Sequence, residues 1–79
     1  MLAKVYVTPK KGVLDPQGKA VAQGLRTLGF SEVGDVRIGK YVEIRLDGRT
    51  ADAERRIREM CEKLLANGVI EEFRFEVET

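Results

Sequence analysis

Phe73, Phe75 and Val77 alternate with Glu72, Arg74 and Glu76. A strict period of two gathers the apolar side chains onto one face only if the segment is a β-strand. The same alternation runs through Lys4-Val5-Tyr6-Val7-Thr8, which stops at Pro9, and through Val42, Ile44 and Leu46 with Glu43 and Arg45 between them. Elsewhere the period lengthens to three and four. Val21, Leu25 and Leu28 recur at helical spacing between Pro16 and Leu28, and Ala53, Ile57, Met60, Cys61, Leu64 and Leu65 form one helical stripe. A chain that changes period this often folds as strands and helices sharing one apolar layer.

The boundaries follow from local chemistry. Asp15 can accept from the unpaired N–H groups of a first helical turn, Pro16 suits the first helical position, and Gly29 sits where a helix C-cap belongs. Lys10-Lys11-Gly12 is loop, and Phe30 leads a second loop to Val33. Val36 and Ile38 alternate with Arg37, so a strand is expected there. Gly39-Lys40 then turns it into a hairpin with Val42-Ile44-Leu46, closed by Asp47-Gly48. Thr50 is the expected cap of the second helix, with Asp52 and Glu54 near its positive end. Glu54–Arg58 and Glu59–Lys63 are spaced to pair along its exposed side, and Asn67-Gly68 ends it. The order β-α-β-β-α-β predicts an α+β, ferredoxin-like sandwich, with two helices on one face of an antiparallel sheet. The other face is then charged, through Lys4, Arg37, Glu43, Arg45, Glu72, Arg74 and Glu76.

With 79 residues the chain is a single domain over 1–79. A chain of this size buries only about 60–65% of its unfolded surface, so self-association to a dimer or larger is expected. Hydrophobic residues at 43% and charged residues at 34% read as a globular protein. No apolar run is long enough to span a membrane, and Met1-Leu2-Ala3-Lys4 begins no signal peptide, so a cytoplasmic location is expected. Fourteen basic and thirteen acidic residues give a net charge of +1, which argues against a nucleic-acid binder and its uncompensated basic stripe. With no histidine and one cysteine, the chain alone cannot build a disulfide, a Cys/His zinc site or a nucleophile–histidine pair.

Residues 34–41, from Gly34 to Tyr41, nearly match the phosphate-loop pattern GxxxxGK[ST]. Tyr41 replaces the magnesium-binding hydroxyl and the flanks alternate like strands, so a hairpin turn is the better reading. The helix start Asp15-Pro16-Gln17-Gly18 is an anion site, a plain cap or a protein contact surface. Asp15 already fills the cap, and a glycine early in a helix costs about 1 kcal/mol against alanine, which favours a surface something approaches closely. Tyr6 and Tyr41 suggest base stacking on an open sheet, yet the required basic-aromatic strand motif is missing and Glu43, Glu72 and Glu76 repel phosphates. No carboxylate pair stands out as general acid and base. Cys61 and Met60 read as core.

Leu14-Asp15-Pro16-Gln17-Gly18-Lys19-Ala20-Val21, and Val36-Arg37-Ile38-Gly39-Lys40-Tyr41 followed by Glu43, resemble the small, PurS-type subunit of phosphoribosylformylglycinamidine synthase. The likeness covers nearly the whole chain. It implies a non-catalytic subunit of an ATP-dependent, glutamine-hydrolysing C–N ligase. A glutaminase subunit releases ammonia, and a synthetase subunit uses ATP and magnesium to install it on formylglycinamide ribonucleotide. The small subunit dimerises, bridges the two and helps ammonia pass between them, binding no cofactor itself. Asp15, Pro16, Gln17, Gly18, Lys19, Arg37, Gly39 and Lys40 are the candidate partner contacts, because the polar ones are not needed for core packing. The alternative function is a small-molecule regulatory module of ferredoxin-like fold.

Overall fold

The computed structural model describes residues 1–47 and 51–78. The elements, in order, are strand β1 (Leu2–Pro9), helix α1 (Pro16–Thr27), strand β2 (Lys40–Arg45), helix α2 (Ala53–Met60) with a π-helical turn at Cys61–Leu65, and strand β3 (Glu71–Glu78). β1 lies in the middle of an antiparallel sheet of order β2-β1-β3. Val5 stands opposite Val42 on one side and Phe75 on the other, and Ala3 opposite Ile44 and Val77. This register puts every apolar set on one face, as the period of two requires. Ala3, Val5 and Val7 are buried there beneath Ile57 and Cys61 of the second helical element, with Ala66 closing the cluster. The α+β class and the antiparallel sheet are as expected from sequence.

Among the described residues three strands pair, and the strand expected at Val36–Ile38 is absent. Residues 33–39 run as irregular chain into β2, so Gly39-Lys40 is no hairpin turn and Lys40 instead opens β2. The backbone of this segment is engaged elsewhere. The Ile38 N–H donates to Asp15, and the carbonyl oxygens of Val33 and Gly34 accept from Arg26. Groups spent on α1 cannot join a ladder.

α1 begins at Pro16 under the Asp15 cap. It ends at Thr27, with Gly29 at a positive φ of 104°, a conformation that favours glycine. Its buried residues, Gly18 and Ala22, belong to the side facing residues 33–38, and no α1 side chain enters the core cluster. In the second helix the stripe slips. The π turn, closed by the Ala66 N–H donating to the Cys61 carbonyl at 2.9 Å, adds a residue to one turn and rotates the positions beyond it. Leu64, expected in the core, is 84% exposed, and Ala66 is buried instead. The expected Thr50 cap and Gly48 turn lie outside the described residues. Asp52 precedes α2 in a left-handed conformation without a side-chain cap. Glu59 pairs with Lys63 at 3.9 Å and with Arg55 at 3.0 Å, while Arg58 lies over the Phe75 ring.

Candidate functional site: the helix start and the segment that meets it

The PurS-like runs around Asp15 and Ile38 meet at one carboxylate. Asp15 Oδ1 accepts from the Gly18 N–H at 2.9 Å, and Oδ2 accepts from the Ile38 N–H at 2.8 Å. Bonds donated by Gly18 and Ile38 favour the ionised carboxylate and hold Asp15 below the usual carboxylate range. Gly18 is required by the same junction. A Cβ there would be driven into the Val36 carbonyl oxygen and the Asp15 carboxylate. The helix propensity lost at Gly18 is the cost of this close backbone approach.

Gly39 plays the same part at the far end of the segment, where a Cβ would collide with the Val7 carbonyl oxygen and Thr8. Between them, Arg37 Nη1 donates to the Pro9 carbonyl at 3.1 Å and to Glu72 Oε1 at 3.0 Å. The segment is thus tied to α1 by Asp15 and to the sheet by Arg37 and Gly39. Of the eight candidate contacts, Asp15, Gly18, Arg37 and Gly39 are structural fasteners. Pro16, Gln17, Lys19 and Lys40 are exposed around them. Arg26, near the C-terminal end of α1, belongs to neither run. It fastens the rear of the segment, and its readable signal is a cation beside free helix carbonyls.

An open groove of about 970 Å³ runs beside the junction, lined by Lys10, Lys11, Asp15, Lys19, Asp35, Arg37 and Glu72 among others. Both signs of charge are mixed in it. Lys10 Nζ is engaged by the Gly68 carbonyl at 2.7 Å and Arg37 by Glu72. On the open sheet face, the Arg74 guanidinium stacks 4.1 Å from the Tyr6 ring centre. Tyr6 in turn lies 5.1 Å from Tyr41, whose hydroxyl donates to Glu43. Lys4 reaches Glu78 at 2.6 Å. Cys61 is fully buried, and burial pushes its thiol pKa up.

Fold and site together define a small antiparallel α+β domain whose first helix is locked to its own connecting segment and not to the core. Residues 2–79 match the PurS family model, described as phosphoribosylformylglycinamidine (FGAM) synthase. The Bacillus subtilis phosphoribosylformylglycinamidine synthase subunit PurS is 55% identical over 75 residues, covering 95% of this chain and 89% of that protein. The structure of B. subtilis PurS superposes with a TM-score of 0.84, over 99% of this chain and 98% of that one. A chain in the structure of PurLQS from Thermotoga maritima is 28% identical, with a TM-score of 0.77 over 96% of both chains. The chain belongs to the PurS family, subunits of phosphoribosylformylglycinamidine synthase in purine biosynthesis.

Proposed function

We propose that this chain is a non-catalytic subunit that binds both a glutaminase and an ATP-dependent synthetase and helps ammonia pass from one to the other. The observation that carries this is the Asp15 junction, which ties the two PurS-like runs into one surface through two hydrogen bonds to a single carboxylate. A surface fixed by backbone contacts keeps its shape when a partner docks, which lowers the ordering cost of binding. The matching chain from PurLQS supports a complex with PurL and PurQ. In this reading the chain works in the cytoplasm, as a dimer or larger, and ATP and magnesium belong to the synthetase partner.

The test compares synthesis rates with glutamine and with high ammonium, each with and without this chain. Bridging predicts that glutamine-dependent synthesis collapses without the chain, while ammonium-dependent synthesis largely survives. Full glutamine-dependent synthesis by the other two subunits alone overturns it and favours the regulatory module. That alternative has its own check, since a regulator binds glutamine or a nucleotide by itself in calorimetry.

A further inference from the structure

Asn67 is the single asparagine of the chain and is followed by Gly68, in the turn between the second helical element and β3. Gly12 and Gly29 have positive φ, and Gly18 and Gly39 make room for a neighbouring backbone. Gly68 does neither, because its φ is not positive and a Cβ there meets nothing within 4 Å. The fold accepts a larger residue after Asn67. What glycine adds is an unshielded backbone nitrogen next to a side-chain amide.

Both residues are exposed. Among the described residues, neither the Gly68 N–H nor Asn67 Nδ2 has a hydrogen-bond partner. The groups around them are held. Asn67 Oδ1 accepts from the Val69 N–H at 3.0 Å, and the Asn67 N–H donates to Glu71 Oε1 at 2.8 Å. The Asn67 carbonyl accepts from the Ile70 and Glu71 N–H groups at 3.1 and 2.7 Å, and Lys10 Nζ donates to the Gly68 carbonyl at 2.7 Å. A donor on Oδ1 stabilises the negative charge this oxygen gains when the amide carbon is attacked. A cation beside Gly68 favours loss of its amide proton.

From these contacts we propose that Asn67–Gly68 is a self-modification site, at which the asparagine deamidates in the folded chain. Hydroxide takes the Gly68 amide proton, the nitrogen bonds to Asn67 Cγ, and the tetrahedral carbon expels Nδ2, protonated by water, as ammonia. Water then opens the cyclic imide at either carbonyl, leaving aspartate or isoaspartate. The sum is one water consumed and one ammonia released, with no change of oxidation state. Isoaspartate lengthens the main chain by a methylene at the residue whose carbonyl holds the turn into β3, so the modified chain loses stability there.

The test incubates the full chain at mildly alkaline pH and follows the tryptic peptide Leu64–Arg74 by mass spectrometry for the amide-to-acid mass gain. Fragmentation separates aspartate from isoaspartate. The Asn67 amide is expected to be lost no more slowly than in the same chain unfolded in urea, and the aged chain to melt below the fresh one. Gly68→Ala is expected to slow the loss about tenfold, since a methyl crowds the attacking nitrogen. Lys10→Gln is expected to slow it about threefold by removing the charge, an effect that Lys10→Arg restores and high salt erases. An Asn67 that stays intact until the chain unfolds overturns the proposal. So do parental rates in Gly68→Ala or Lys10→Gln, or an aged chain that melts with the fresh one.

Discussion

Asp15 and Ile38, 23 residues apart, are joined by a single hydrogen bond from the Ile38 backbone to the Asp15 carboxylate, at 2.8 Å. The other oxygen of the same carboxylate caps α1. Side-chain bonds from Asp15, Arg26 and Arg37 thus replace a strand ladder as the anchors of residues 33–38, and the charge state of Asp15 becomes a variable in the stability of the fold.

Asp15 is held low by the bonds from Gly18 and Ile38. A depressed carboxylate contributes stability that is fully present above its unfolded value, about 3.9, and is lost as pH falls through the lower folded value. Asp15→Asn keeps the size but offers one acceptor oxygen for two donors. The variant is expected to melt below the parent at neutral pH, with the gap closing as pH falls from about 4 to 2. Thermal melts across that window check it, and a gap independent of pH refutes it.

Gly18 and Gly24 form a matched pair on one helix. Around Gly24 a Cβ meets nothing within 4 Å, whereas at Gly18 it meets the Val36 carbonyl and Asp15. Gly24→Ala is expected to stabilise by about 0.5–1 kcal/mol through helix propensity. Gly18→Ala is expected to destabilise by about 1–3 kcal/mol despite the same gain, because backbone must shift. Urea unfolding of both variants decides the matter.

That contrast shows what a sequence can and cannot disclose here. The strands β1, β2 and β3 and the start of α1 were legible because alternation, Asp15 and Pro16 are local signals. The Val36–Ile38 segment misled because three residues of alternation look the same whether the backbone pairs with a strand or with a helix cap 23 residues away. Leu64 misled because a π turn shifts the phase of a stripe without any marker residue. At the site, Asp15, Gly18 and Arg37 were identifiable as a set. Their division into fasteners and exposed contacts required the positions of Val36, Pro9 and Glu72.

Ile57 is fully buried against β1 and is among the largest side chains of a small core. Ile57→Ala is expected to cost about 2–5 kcal/mol, a large share of the stability of a 79-residue domain. In the same core the Cys61 thiol, buried and held protonated, should react with a thiol reagent only as fast as the fold opens. The Ile57→Ala variant should therefore expose Cys61 at lower urea than the parent, read by absorbance of a disulfide reagent. Fast reaction of Cys61 in the intact parent contradicts the packing described.

Gln17 and Lys40 are exposed beside the Asp15 junction, one on each of the two PurS-like runs, and neither side chain fastens the segment. A Gln17→Ala, Lys40→Ala double variant is expected to keep the parent's melting temperature within about 2–4 °C, since exposed substitutions usually stay within ±0.5 kcal/mol. Its affinity for the glutaminase and synthetase should fall at least tenfold, about 1.4 kcal/mol, as truncation of central interface contacts does. Glutamine-dependent synthesis at limiting subunit concentration should fall with it, whereas ammonium-dependent synthesis should not. Restoring the rate by raising the variant's concentration would mark the defect as one of binding. Wild-type affinity in the double variant would move the partner surface away from the junction that Asp15 builds.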